Sequence, residues 1–422
     1  MAGLTKMAAR PGPAHKPWTV AWAAFGLAMV GWGLGFYGPA VFIKTLHTKE
    51  GWSISALSTA VTFHFLLGSV LLFCLPLIHA RLGLVRATVL GLLLAAAGAL
   101  AWGHVVALWH IWPAAALSAC GWSMTSGPAM NAILSQHFTQ DRPKALSLAY
   151  NGASVAGLLV VPLWVALIAW VGLAVASWLI ATAALAVMLP LALRYFGPPV
   201  GLAAPVSEVQ PADRHTIAAD DATAHPGNVM RQPRFWLLSA PFALGLFAQV
   251  GVLTHLLLYM APLVGAALAT SSITALTLFA IAGRTLFAKF FTGFNLATVA
   301  ACNLCTQALG FALLAWGGLG QPHAAMLLAG AALFGLGFGN LTSLPPMVAQ
   351  RWFPAPQVGT VVARVTGINQ ALYAFAPAAF GLMRDSTGSY QLPLLIAITF
   401  QLLAAGMMLW ARKNVSALPV QS

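Results

Sequence analysis

The chain has 422 residues, of which 60% are hydrophobic and 6% charged, with mean hydropathy +0.85. Soluble domains carry roughly 25% charged residues, so this composition excludes a chain presented to water on all sides. The net charge of +13 is scattered over the whole length and forms no basic stripe, which excludes a nucleic-acid footprint and leaves the charges as signals of membrane topology.

A spanning helix needs about 20 apolar residues, and the chain offers many such runs between short polar breaks. Residues 1–17 hold Lys6, Arg10 and Lys16, followed by an apolar run over 18–43. That run is too long for a signal-peptide core and has no small-residue cleavage site. It reads as the first span, with the basic tail on the cytoplasmic side. Further spans follow at 54–78, 87–105, 108–135, 145–169 and 172–194. Residues 197–233 change character: six prolines and four acids (Glu208, Asp213, Asp220, Asp221) mark a flexible linker. Six more spans are expected at 235–259, 266–289, 294–316, 323–349, 358–382 and 390–411. The expected architecture is therefore an all-α membrane protein of twelve helices: an N-terminal half (1–196), a cytoplasmic linker and a C-terminal half (234–422).

The basic residues sort accordingly. Sixteen of the 20 fall on the cytoplasmic side, three (Lys44, Lys49, Arg384) fall outside, and Arg284 lies within a span. This places both termini in the cytoplasm and the protein in an inner membrane. The halves also repeat. A shift of 215 superposes Phe138 on Phe353, Gly152 on Gly367, Ala156 on Ala371, Pro162 on Pro377 and Gly68 on Gly283. Repeated halves joined by a cytoplasmic linker characterise one class of secondary transporter, whose solute site lies between the halves near mid-membrane.

With these features in place, the chain resembles the major facilitator superfamily over essentially its whole length. The loop HARLGLVRATVLG is similar to the superfamily's Asp-Arg-x-Gly-x-Arg-Arg signature through Arg81, Gly83 and Arg86. Ala80 stands where the family has Asp, so the charge network that the resemblance implies for a cytoplasmic gate lacks its acid. GWSISALS (51–58), SQHFTQDRPKALSLA and AGRTLF (282–287) are most similar to the monocarboxylate and oxalate/formate-type branch. That resemblance implies alternating access, a small-molecule substrate with or without co-transported protons, a monomer, and an Arg of the eighth span binding the substrate carboxylate. Arg284 occupies that position.

Arg284 stands out on physical grounds as well. A charge inside the bilayer is expensive and needs a partner, yet none of the seven acids falls within a span. An anionic solute would supply the carboxylate that a guanidinium matches with two parallel bonds. Bonding to backbone carbonyls, or reaching to the cytoplasmic surface, are the structural alternatives. Two histidines at depth, His64 and His255, are candidates for a proton relay or simply neutral hydrogen-bonding groups. The resemblance implies a cavity lined by the first, fourth, seventh and tenth spans, and polar side chains there and mid-way along the eleventh complete the candidate substrate site: Tyr37, Asn131, Asn340, Asn369, Gln370 and Tyr373, with Trp32, Ser126, Gln249, Tyr259 and Thr342 on the cavity helices. Interhelical hydrogen bonding is the alternative for each of them. Prolines at Gly127-Pro128, Pro162, Pro345-Pro346 and Pro377 loosen the helix ladder. Tryptophans are expected mostly at span ends.

Cys302 and Cys305 form a CxxC, but no second pair accompanies them, so they read as packing residues rather than a metal or redox site. No HExxH, nucleophile elbow or nucleotide-binding loop is present, which argues against an enzyme, a cofactor or a resident metal. The leading functional reading is a carrier of a small organic anion, a monocarboxylate first of all. The alternative is an exporter of apolar or cationic compounds, favoured by an aromatic lining and opposed by the lack of any embedded acid.

Overall fold

A computed structural model describes residues 17–138, 141–197, 229–290 and 293–415. Most of the linker, and Lys6, Arg10 and Lys16 of the N-terminal tail, lie outside the described residues.

Helices α1 (Pro17–Gly31) and α2 (Gly38–Glu50) are joined by a π turn, Trp32–Phe36, and form the first span. Helices α3 (Ile54–Leu82) and α4 (Leu84–Gly103) are the second and third. The fourth is broken at Ser126 into α5 (Ile111–Thr125) and α6 (Gly127–His137). Helix α7 (Arg142–Val155) passes through another π turn, Ala156–Val160, into α8 (Val161–Tyr195). In the second half, α9 (Pro233–Val264), α10 (Ala266–Phe290) and α11 (Leu296–Gly317) are single helices. The tenth span consists of α12 (Ala324–Phe338) and α13 (Asn340–Trp352), the eleventh of α14 (Ala355–Tyr373) and α15 (Ala376–Thr387), and the last is α16 (Gln391–Val415).

Among the described residues, nine helical stretches are long and apolar enough to cross a membrane. One of these, Arg142–Tyr195, runs for 54 residues. At 1.5 Å per residue that is about 80 Å, far more than one crossing of a core about 30 Å thick. The chain turns at Gly172, whose φ of 79° and ψ of 166° suit a residue without Cβ and divide α8 between the fifth and sixth spans. Two further crossings, α5–α6 and α14–α15, are interrupted mid-membrane, which brings the bundle to twelve.

The packing repeats as the sequence does. In the first half α4 packs on α5 and α8, α3 on α5, and α1 on α7 and α8. In the second, α11 packs on α12 and α16, α10 on α12, and α9 on α14 and α16. The halves meet where α3 lies on α14 and α7 lies on α10, two contacts that exchange when the halves are exchanged. The breaks correspond as well. The π turn at Ala156–Val160, shifted by 215, falls where α14 gives way to α15. Pro162 and Pro377 stand just inside the following helices; a proline donates no backbone bond to the preceding turn, so the ladder loosens there.

On the side facing the linker, α6 also packs on α13 and α14, and α7 on α13, whereas α2, α8 and α15 pack mainly within their own halves. The bundle is thus closed toward the linker end and parts toward the other.

Two sequence expectations need correction. Cys302 and Cys305 are exposed on the outer face of α11 instead of packing inside. Trp32, Trp102, Trp122 and Trp164 are buried, so tryptophan is core material here as well as an anchor at span ends.

Candidate functional site

Between the halves lies an open cavity, lined by residues of both. The first half supplies mostly aromatic faces: Trp32 and Phe36 from the π turn, Tyr37 beside it, Trp122 on α5 and Tyr150 on α7. Trp32 stands edge-on to Trp122 at 4.7 Å and to Tyr150 at 5.9 Å between centroids, and Phe36 packs on Tyr37 at 5.2 Å. Such edge-to-face pairs hold a rigid wall. The second half supplies most of the polar groups: Gln249 on α9, Arg284 on α10, Thr342 on α13, and Thr366, Asn369, Gln370 and Tyr373 on α14.

Arg284 is 2% exposed, which removes the alternative of a side chain reaching to the surface. Its Nε and Nη2 donate to the Gly339 carbonyl at 3.1 and 2.9 Å. Nη1 donates across the interface to the Tyr150 carbonyl, to Asn151 Oδ1 at 3.1 Å and to Ser154 Oγ at 3.2 Å. The guanidinium also lies 5.9 Å from the Tyr150 ring centroid. The local chain explains the acceptor: α12 ends at Phe338 and α13 begins at Asn340, so Gly339 sits between two helical runs and its carbonyl is available. Its partners are neutral oxygens only. The ion pairs among the described residues, Lys49–Glu50, Lys144–Asp141 and Arg384–Asp385, all lie outside the cavity.

A Cβ at Gly339 would lie 2.7 Å from Arg284 Nη2 and 2.9 Å from the Ala280 carbonyl. Gly339→Val is therefore expected to displace the guanidinium and to lower stability by about 1–3 kcal/mol, the usual cost of overpacking. An earlier midpoint in a thermal melt of the detergent-solubilised protein would show it.

Gln370 joins the halves a second time. Its Oε1 accepts from Trp122 Nε1 at 2.8 Å and from the Tyr373 hydroxyl at 3.2 Å, and its Nε2 donates to the Phe65 carbonyl at 2.9 Å. One turn away, Ser69 Oγ donates to the Gly367 carbonyl at 2.6 Å. Gln249 and Asn369 differ. Gln249 is 2% and Asn369 2% exposed, and Gln249 Oε1 and Asn369 Oδ1 have no hydrogen-bond partner among the described residues.

Of the candidates named from sequence, the structure brings Arg284, Tyr37, Asn369, Gln370 and Tyr373, with Trp32, Ser126, Gln249 and Thr342, together in the cavity wall. It places the others elsewhere. Asn131 accepts from Arg142 Nη2 at 3.1 Å toward the linker end of α6. Asn340 donates to Asn303 Oδ1 at 3.0 Å, in a layer of amides inside the second half where Gln401 also meets Gln307 at 3.2 Å. His64, fully buried within the first half, has Nδ1 2.9 Å from Ser118 Oγ. His255 lies between the Tyr390 hydroxyl at 3.2 Å and the Pro377 carbonyl at 2.9 Å, within the second half. Arg81 and Arg86 are exposed on either side of the α3–α4 joint, where Gly83 takes a φ of 78°. The difference is one of helical face: depth along a span is readable from sequence, whereas orientation around it needs the neighbours.

Sequence reasoning passed over Trp122, Tyr150, Asn151 and Ser154. The available signal was a tryptophan well inside the fourth span, and a Tyr-Asn pair with a serine one turn on in the fifth. Among the described residues no group of three or more His, Cys, Asp or Glu could hold a metal ion.

Residues 21–316 match the Major Facilitator Superfamily. The chain belongs to that superfamily. No protein of curated function matches its sequence significantly. Among solved structures it is similar to the human organic anion transporter MFSD10 (TETRAN), with a TM-score of 0.70 and 17% identity over 93% of this chain and 100% of that one. It is also similar to a variant of the Escherichia coli fucose:proton symporter FucP, with a TM-score of 0.69 and 14% identity over 94% of this chain and 98% of that one. At these identities the likeness establishes the fold. A multi-pass superfamily protein of this kind is a membrane transporter, not an enzyme.

Proposed function

We propose that this transporter carries a small organic anion, a monocarboxylate in the first instance, across an inner membrane by alternating access. The observation that carries this reading is Arg284: a buried cation in the cavity wall, whose lining among the described residues contains no carboxylate. A fixed charge in a low-dielectric site selects the opposite charge. The fold shared with a human organic anion transporter supports this reading. The moving bodies are residues 1–196 and 234–422, with the 197–233 linker and both termini on the cytoplasmic side, where most of the basic residues gather. A single chain encloses the cavity, in keeping with a monomer.

A proton relay through His64 or His255 would run inside one half, away from the cavity. We therefore infer coupling through charge balance or exchange of anions. Arg81, Gly83 and Arg86 form a cytoplasmic joint that works without the family's acid. An exporter of apolar compounds would suit the aromatic wall; a cationic cargo would meet Arg284 with no carboxylate to offset it.

The test is uptake into proteoliposomes of labelled lactate, acetate and benzoate, with a labelled neutral sugar and a lipophilic dye cation alongside. Uptake of carboxylates that unlabelled carboxylates suppress is expected. Transport of the dye cation alone would replace this reading with the exporter.

A further inference from the structure

Three amides line the cavity, and their bonding divides them. Gln370 is used up: its oxygen holds Trp122 and Tyr373, and its nitrogen holds the Phe65 carbonyl. Gln249 and Asn369 stand on α9 and α14 of the same half, each 98% buried, with carbonyl oxygens that meet no donor among the described residues. Buried polar atoms are almost always paired, because an unpaired one loses its hydration and gains nothing. Two such side chains in one cavity wall point to a ligand that completes them.

We infer that the cargo is a hydroxylated organic anion, its carboxylate assigned to Arg284 and its hydroxyls to Gln249 and Asn369. This rests on the anion reading above and narrows it. A carboxylate cannot serve the amide oxygens, since both are acceptors, so the donors must sit elsewhere on the cargo. An ammonium would donate, but it would face Arg284 in a wall without a carboxylate. A hydroxyl both donates and accepts, so it also serves an amide turned end for end, which would present its N–H2 group. The lining from the first half fits the same cargo: Trp32 and Trp122 offer apolar surface to the C–H groups of a polyhydroxy chain.

The consequence is a preference that charge alone does not produce. A site built to bond a hydroxyl rejects the analogue lacking it, because the buried amide then stays unpaired. Each matched deoxy acid is expected to bind roughly tenfold more weakly or worse, one unsatisfied buried group being sufficient for that.

Trp32 and Trp122 in the wall allow binding to be read as a change in intrinsic fluorescence, independently of transport mode. Matched pairs would be titrated into purified wild-type protein: lactate and propanoate, gluconate and hexanoate, with mannitol as a neutral polyol. The inference expects tighter binding of lactate and gluconate, and loss of that preference in Gln249→Met and Asn369→Leu variants with cooperative melts. Equal or tighter binding of the deoxy acids by wild type would overturn it, and so would an unchanged preference in both variants. No binding by any of the five compounds to a cooperatively melting wild type would overturn it as well. Hydroxyl-dependent binding that includes mannitol and is indifferent to Arg284→Gln would remove the anion reading while leaving the hydroxyl site in place. Carboxylate binding lost in Arg284→Gln without any hydroxyl preference would do the reverse.

Discussion

Replacing Arg284 with alanine is expected to lower carboxylate uptake by roughly 100-fold, the usual consequence of removing one member of a buried charged pair. The side chain is the cation of the cavity wall, so the variant leaves a carboxylate to enter a low-dielectric space with only amides and hydroxyls for company. It also strips donors from the Tyr150 and Gly339 carbonyls, Asn151 and Ser154. Arg284→Lys separates the two effects. An ammonium keeps the charge but lacks the planar fork that reaches Tyr150 and Gly339 together, so only a small part of the uptake should return. Uptake would be measured in proteoliposomes beside the melting curve of each variant. Wild-type rates in Arg284→Ala would take this residue out of the mechanism.

Most of the architecture was readable before any coordinate was known, because a bilayer imposes length, apolarity and charge placement on the chain. The twelve spans follow from those constraints, and the repeat at a shift of 215 returns in the packing. What stayed hidden was rotation about the helix axis. Asn131 and Asn340 lie at the right depth but turn toward Arg142 and Asn303, and His64 and His255 turn into their own halves. The two π turns were hidden too. One insertion at Trp32–Phe36 re-aims an aromatic cluster into the cavity, and no residue pattern announces it. Arg284 was found because its cost in lipid is independent of face: wherever it pointed, it required partners. The partners themselves, carbonyls freed at Gly339 and offered by α7, depend on helix breaks visible only in three dimensions.

The closed linker end leads to the second large effect. Helices α7 and α10 belong to opposite halves, and there Asn151 Nδ2 lies 3.2 Å from Thr285 Oγ1. The two side chains touch, so paired cysteines there are neighbours, and a disulfide between them brings their Cβ atoms to about 3.5–4.5 Å. In a background with Cys74, Cys120, Cys302 and Cys305 changed to alanine, Asn151→Cys with Thr285→Cys should cross-link on mild oxidation. If residues 1–196 and 234–422 rock as units, this bond pins the conformation seen here and the cargo cannot leave toward the linker end. Uptake should then fall to background, return on reduction, and remain insensitive to oxidation in either single-cysteine variant. The reduced pair serves as its own control, because Arg284 keeps the Tyr150 and Gly339 carbonyls when Asn151 is lost. Normal uptake by a fully cross-linked protein would mean that α7 and α10 never part, and alternating access by rocking halves would have to be abandoned for a gate within one half.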